Sequence, residues 1–152
     1  MVLAYHLASI CCKNPFRIYM LTNNVNFCVD QNIIYFSFSG DFNKNFDKLI
    51  SEEAFFNSIS KLTNGRYMPM IVNLEDVSFF NAIKIFRFLA FNKRVKSLVL
   101  SQIFLVQSTI LKYIISIYNL NNDPVVKNRV CNDLEIAVYY CNRENKLFNA
   151  LN

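Results

Sequence analysis

Glycine, proline and histidine are scarce in this chain of 152 residues, which contains two, three and one of them. Two glycines are too few for a glycine-rich phosphate loop, and a histidine-rich metal site needs more than one histidine. A Ser-His-Asp or Cys-His catalytic site would have to use His6, in the apolar N-terminal stretch. The shortage of glycine and proline also argues against long flexible linkers. We therefore expect a single domain that is not an enzyme and binds no cofactor.

The five cysteines form neither a disulfide framework nor a metal-binding pattern. Their number is odd, no Cys-x-x-Cys sequence occurs, and the adjacent Cys11 and Cys12 are poorly spaced for a metal. We expect buried free thiols in a reducing cytoplasm. A cytoplasmic location also fits the N-terminal residues 1–12, which are apolar but lack the positively charged start of a signal peptide.

No apolar stretch predicts a membrane span, and no basic stripe predicts a nucleic-acid partner. The longest later apolar stretch, residues 98–118, is interrupted by polar side chains that include Ser101, Gln102, Gln107 and Lys112. The net charge is +5, but a nucleic-acid surface needs basic residues arranged along one stripe. The one basic cluster is typical of a solvated helix face followed by a turn. It consists of Lys84, Arg87, Lys93, Arg94 and Lys96.

Apolar residues, in contrast, are abundant and follow two different periods. They make up 53% of the chain and include 15 Phe and 8 Tyr, enough for a large core. Residues 68–74 form a nearly continuous apolar run, which is typical of a buried strand. From Phe79 to Ala90 the apolar positions recur at helical spacing. A strand that leads into a helix through a short acidic turn indicates an α/β domain.

Turn signals divide the chain into three strands, followed by four helices that alternate with three more strands. The predicted strands cover residues 16–21, 25–29, 33–39, 67–74, 101–106 and 127–131. The predicted helices run from the N-cap Ser51 to Asn64, over residues 79–92, from the N-cap Ser108 to about residue 118, and from the N-cap Asn132 to about residue 144.

This order predicts an α/β fold with a mixed, largely parallel sheet, antiparallel N-terminal strands and about four covering helices. We expect one domain over residues 16–146. Residues 1–15 would form an N-terminal arm without assigned structure, and residues 147–152 a C-terminal tail.

Residues 70–89 resemble the central strand, turn and helix of STAS domains, the fold of anti-sigma-factor antagonists. The closer resemblance is to small bacterial proteins described as STAS-like or SpoIIAA-like, most of them uncharacterised. Residues 62–65 resemble the helix ending of those proteins, residues 104–108 their strand-to-helix junction, and residues 129–140 their final strand and helix. The resemblance implies the STAS fold and a regulatory or binding role.

The resemblance also implies that one known device of the family is missing. In a phosphorylatable antagonist an Asp-Ser pair opens the helix, and the serine is the switch. Asn81 takes the aspartate position here, and Ala82 takes the serine position. Ala82 has no hydroxyl group, so a phosphoryl switch cannot operate there. Ser78 lies in the same turn, where we expect it to cap the helix.

We expect a non-enzymatic regulatory or protein-interaction module with an unidentified protein partner. Its predicted partner surface is the turn and helix after the central strand, made of Glu75, Asp76, Ser78, Asn81, Ala82, Lys84 and Arg87. Glu75 and Asp76 follow a central strand, where open α/β sheets place ligand sites. Two adjacent carboxylates could coordinate a cation there, but a polar turn that caps the helix is the better interpretation.

Two alternatives stay open at the level of sequence. The aromatic and isoleucine-rich helices could leave an apolar pocket against the sheet, as in a small-molecule or lipid-binding domain. An exposed edge strand or the apolar N-terminal arm could also pair two copies of the chain across a two-fold axis, which would give a homodimer.

Overall fold

The computed structural model describes residues 20–22, 25–38, 52–120 and 126–152, with only the backbone course for residues 20–22. Three predicted features therefore lie outside the described residues. They are the N-terminal arm, the start of the first strand and the N-cap Ser51.

Six strands and five helices form within these ranges. The strands are β1 (Met20–Thr22), β2 (Val25–Asp30), β3 (Ile33–Phe38), β4 (Met68–Asn73), β5 (Val99–Leu105) and β6 (Lys127–Cys131). The helices are α1 (Glu52–Thr63), α2 (Phe79–Phe91), α3 (Lys93–Lys96), α4 (Thr109–Asn119) and α5 (Leu134–Leu151). The single turn α3 is the one addition to the predicted order.

The strands form one sheet, in the order β1-β2-β3-β4-β5-β6. β1 pairs with β2, and β2 with β3, in antiparallel fashion. The three remaining pairs are parallel, with a helix between each pair of strands in the chain. The predicted α/β class, with a largely parallel sheet and antiparallel N-terminal strands, is confirmed.

Glutamine, asparagine and glycine supply the left-handed backbone at two turns. Gln31 and Asn32 join β2 to β3 with φ angles of 49° and 60°. Two consecutive residues of positive φ match the right-handed twist of a hairpin. Asn64 and Gly65 end α1 with φ angles of 51° and 75°, which confirms the predicted end of this helix.

The helices lie in two layers, one on each face of the sheet. In β4 the side chains of Met70 and Val72 join the core beneath α1, α2 and α4, whereas that of Ile71 joins the core beneath α5. This alternation follows from the two-residue period of a strand. β4 is buried along its whole length because both of its faces are covered.

Aromatic rings fill much of the first layer. Phe27 and Phe36 stack with ring centroids 4.5 Å apart, and Phe55 of α1 meets both of them edge-on at 5.4 Å. Phe86 of α2 contacts Phe104 of β5 at 4.9 Å. Such offset and edge-on pairs add about 0.5–1.5 kcal/mol each beyond the burial of their surface.

The N-caps of α4 and α5 can be compared with the predicted ones. Ser108 caps α4 as predicted, since its Oγ accepts a hydrogen bond from the Leu111 amide at 3.2 Å. The prediction that Asn132 caps α5 is wrong, because Asp133 Oδ1 accepts from the Ile136 amide at 3.0 Å. An exposed aspartate directly before the helix can satisfy the same free amide groups as an asparagine one position earlier.

The predicted end of α5 is also wrong. The helix continues beyond residue 144 to Leu151, so residues 147–151 are helical and residue 146 is not a structural boundary. No glycine or proline interrupts residues 134–151. Phe148 in this extension contacts the ring of Tyr67, with centroids 6.2 Å apart. That contact ties the last part of the helix to the loop before β4.

β6 forms one edge of the sheet, and three polar contacts join it to the neighbouring helices. Asn119 at the end of α4 donates its side-chain amide to the Asn128 carbonyl at 3.4 Å. On the α5 side, Lys127 forms an ion pair with Glu144 at 3.5 Å, and the Arg129 guanidinium lies 4.5 Å from the ring centre of Tyr140.

The cysteines differ from the prediction at one position. Cys131 and Cys141 are free and buried, as expected. Cys28, which is buried in β2, is disulfide-bonded, so the prediction of a free thiol is wrong there. Cys11 and Cys12 lie outside the described residues.

The long apolar stretch over residues 98–118 contributes to two elements, β5 and α4. In the part of the chain that the structure describes, no helix has the length and apolar character needed to cross a bilayer.

Candidate functional site

A tight turn joins the end of β4 to the start of α2. Asn73 Oδ1 accepts a hydrogen bond from the Glu75 amide at 2.9 Å, and the Val77 amide donates to the Leu74 carbonyl at 3.2 Å. The Leu74 amide donates to the Leu105 carbonyl of β5 at 2.9 Å. These bonds hold the turn against the carboxyl end of the neighbouring strand.

The two acidic residues of this turn have different surroundings. The Glu75 carboxylate accepts a hydrogen bond from the side-chain amide of Gln107, which lies in the loop after β5. Asp76 is exposed beside it. Across the described ranges, no group of three or more His, Cys, Asp or Glu residues is placed to hold a metal ion. The Glu75 carboxylate therefore links two loops at the carboxyl edge of the sheet.

Ser78 occupies the N-cap position of α2, as predicted, but its side chain does not make a capping hydrogen bond. The Ser78 carbonyl accepts the first hydrogen bond of the helix, from the Ala82 amide at 2.8 Å. Ser78 itself is exposed. The predicted position of Ser78 at the start of the helix is confirmed, and the predicted cap by its side chain is wrong.

Two residues of the predicted partner surface face the core. Asn81 is 9% exposed and Ala82 is 0% exposed. The small Ala82 side chain lies where α2 packs closely on the sheet layer. Ala82 cannot contact a partner, and Asn81 can do so only through a small exposed fraction.

The exposed members of the predicted partner surface lie on the outer side of α2 and in the turn before it. Phe80, which the prediction left out, lies among them. Phe80 is 77% exposed, although its aromatic character suggested a place in the core. Ala82, Phe86 and Leu89 face inward, and this helical phase turns Phe80 outward. We use the name α2 surface for the partly exposed Glu75 together with five exposed residues, Asp76, Ser78, Phe80, Lys84 and Arg87.

The basic residues that follow α2 are partly engaged with α1. The Asn92 side chain accepts from the amides of Arg94 and Val95 and donates to the Glu52 carboxylate. The Arg94 guanidinium lies 4.2 Å from the ring centre of Phe56. Arg94 therefore helps to join α3 to α1, as a cation over an aromatic ring.

The free thiols of Cys131 and Cys141 are buried and weakly acidic. Burial raises the pKa of the Cys131 thiol, and the nearby Lys112 charge offsets part of this effect. Burial also raises the pKa of the Cys141 thiol, to a greater extent than the nearby charges of Cys131 and Glu144. A thiol must lose its proton to act as a nucleophile or a metal ligand. Both side chains are therefore protonated core residues at neutral pH.

No family model, no curated protein and no solved structure matches this chain.

Proposed function

We propose that this chain is a non-enzymatic regulatory or protein-interaction module with a STAS-like fold. Its partner surface is the α2 surface, and its partner is a protein. Three strands followed by alternating helices and strands support the STAS-like part of the proposal. The α2 surface follows the acidic turn on which the resemblance rests.

The exposure of Phe80 carries the functional part of the proposal. An aromatic side chain that is 77% exposed leaves a large apolar area in water. Charged side chains of both signs accompany it on the α2 surface, with Glu75 and Asp76 before the helix and Lys84 and Arg87 along it. An aromatic anchor inside a polar rim is the usual arrangement at protein interfaces.

The filled interior favours a surface function over a ligand pocket between the sheet and the helices. The stacked rings of Phe27 and Phe36 and the edge-on ring of Phe55 occupy the space under α1. Phe86 and Phe104 do the same under α2. A ligand bound there would have to displace well-packed rings.

Regulation in this proposal does not use phosphorylation at the start of α2. Ala82 lacks a hydroxyl group, and it is also 0% exposed. A phosphoryl group at that position would have to enter a closely packed apolar layer, which is unfavourable for a group with two charges. The α2 surface would instead act as a constitutive binding site.

A cytoplasmic location is part of the same proposal. The free thiols of Cys131 and Cys141 support a reducing compartment. The disulfide at Cys28 weighs against it.

The change Phe80→Glu tests the α2 surface. A carboxylate at the anchor position would have to lose its water on binding, so we expect the affinity for a protein partner to fall by about tenfold or more. The measurement is quantitative capture from native lysate on the immobilised full chain, followed by titration of each captured protein in purified form.

Tyr139→Glu is the matched control, because Tyr139 is an aromatic residue of α5 that is 64% exposed on the other face of the sheet. Circular dichroism should show that both variants remain folded. If the two variants bind the purified partner with equal affinity, or if only Tyr139→Glu weakens it, the α2 surface is not the binding site.

A further inference from the structure

The outer side of α4 carries an apolar stripe that is distinct from the α2 surface. Ile110, Tyr113 and Ile117 are 67%, 69% and 46% exposed, and Leu120 at the C-cap is 84% exposed. The inner side of the same helix is anchored by Ile115, which is fully buried. Three turns of α4 therefore present large apolar side chains to solvent.

We propose that this stripe is the contact between two copies of the chain, related by a two-fold axis. The four residues, which we call the α4 stripe, are separated by three, four and three positions. This spacing reads the same in both directions. Two antiparallel copies of α4 therefore place Ile110 opposite Leu120 of the second copy, and Tyr113 opposite Ile117 of the second copy. The spacing is also that of the seam between two packed helices.

The charge of α4 favours a second copy over a charged partner. The α4 stripe contains no charged residue, and the one charged residue of the helix is Lys112. Lys112 is only partly exposed and lies near enough to Cys131 to influence its pKa. A two-fold axis at the stripe therefore brings no like charges together, whereas an acidic or basic partner would find no opposite charge there.

α5 is less suited than α4 to contact a second copy of the chain. The outer side of α5 also exposes apolar residues, with Ile136 at 46%, Tyr139 at 64% and Leu147 at 48%. Arg143, however, is exposed near the middle of the helix. Antiparallel pairing of two α5 helices would bring two guanidinium groups close together, which is unfavourable.

The size of the stripe sets the expected strength of the dimer. With about 150–250 Å² for each large side chain, the exposed fractions amount to roughly 500 Å² per copy. A standard interface takes about 800 Å² from each partner. The dimer should therefore be weak, and its population should depend on concentration.

Analytical ultracentrifugation of the full chain, from about 5 μM to about 500 μM, tests the proposal. We expect a reversible monomer–dimer equilibrium. The variants Tyr113→Lys and Ile117→Glu should each remain monomeric, because each places a charge against an apolar residue of the second copy. A mixture of the two variants should form a heterodimer, because Lys at 113 then faces Glu at 117, while Ile117 and Tyr113 still meet at the equivalent position.

The controls separate this proposal from the proposed function. Phe80→Glu lies on α2 and should leave the dimer unchanged, and thermal unfolding should show that all variants are folded. A wild-type chain that stays monomeric over the whole range overturns the proposal, and so does a mixture that remains monomeric. Binding of the monomer to phosphatidylcholine vesicles, abolished by Tyr113→Lys, would assign the α4 stripe to a lipid surface instead.

Discussion

At the scale of single residues, Cys141 shows how burial fixes the chemistry of a side chain. Cys141 is 0% exposed on the inner side of α5, and burial raises the pKa of its thiol above the ordinary value of 9.0. In the unfolded chain the thiol regains that ordinary value, so it loses its proton first as the pH rises. The folded state then holds more protons than the unfolded state, and the free energy of unfolding must decrease with increasing pH above about 9.

We expect Cys141→Ala to remove part of this alkaline loss of stability. The slope of unfolding free energy against pH should become less steep by up to about 1.4 kcal/mol per pH unit. Urea denaturation between pH 7 and about pH 10.5 measures the slope. Val138→Ala, on the same helix, removes apolar volume without removing a titrating group and should keep the wild-type slope. Equal slopes for both variants would contradict the assigned role of burial.

Individual residues were the hardest feature to predict from the sequence. Ala82 and Phe80 stand two positions apart on α2, and the predicted partner surface included the first and left out the second. Only the helical phase separates them, since Phe86 and Leu89 point inward on the side of Ala82. The disulfide at Cys28 had no sequence signal, because cysteine spacing does not define pairing.

At the scale of elements, the start of α5 depends on a single carboxylate. Asp133 Oδ1 accepts from the Ile136 amide at 3.0 Å and faces the positive end of the helix dipole. This cap belongs to the helix that covers the second face of the sheet, so its loss should affect the stability of the whole domain.

We expect Asp133→Ala to reduce the free energy of unfolding by about 0.5–2 kcal/mol, measured by urea denaturation. Asn132→Ala removes the neighbouring exposed side chain and should change it by less than about 0.5 kcal/mol. A larger loss of unfolding free energy for Asn132→Ala than for Asp133→Ala would show that Asn132 is the cap. The sequence could not decide between them, because the apolar spacing of α5 tolerates a shift of one residue in the helix start.

At the scale of the whole molecule, the two layers are covered unequally. Among the described helices, three crossover helices cover one face of the sheet, and α5 is the one that packs on the other. Without α5, the apolar side chains of Tyr35, Ile71 and Ile103 would be exposed together. Within the described ranges, the burial of this second face therefore depends on α5, which has eighteen residues.

A chain that ends at Cys131 should accordingly be insoluble or lack a cooperative unfolding transition, because it exposes a continuous apolar face. A chain that lacks only residues 150–152 keeps the contact between Phe148 and Tyr67 and should remain folded. The soluble fraction and the circular dichroism of the two shortened chains measure the difference. A soluble shorter chain with cooperative unfolding would show that α5 is dispensable.

The architecture followed from the sequence more fully than the site did. The change from strand to helical period between residues 68 and 90 predicted β4 and α2, and the structure places both there. Such periods arise from the burial of many residues, so a wrong assignment of one residue does not change the predicted helix or strand. The α4 stripe escaped prediction because its isoleucines and tyrosine are as apolar as the buried side of the same helix.

The sequential order of the strands has a consequence for synthesis. Each of the described strands after β1 pairs with the described strand before it in the chain, so it leaves the ribosome when that partner is already available. The sheet can grow from one side to the other without waiting for distant segments, which favours rapid folding. α5 is made after β6 and packs on the other face of the sheet from α1, α2 and α4. Until it docks, the apolar side chains that it covers, such as those of Ile71 and Ile103, lack this helix, and chaperones could recognise them.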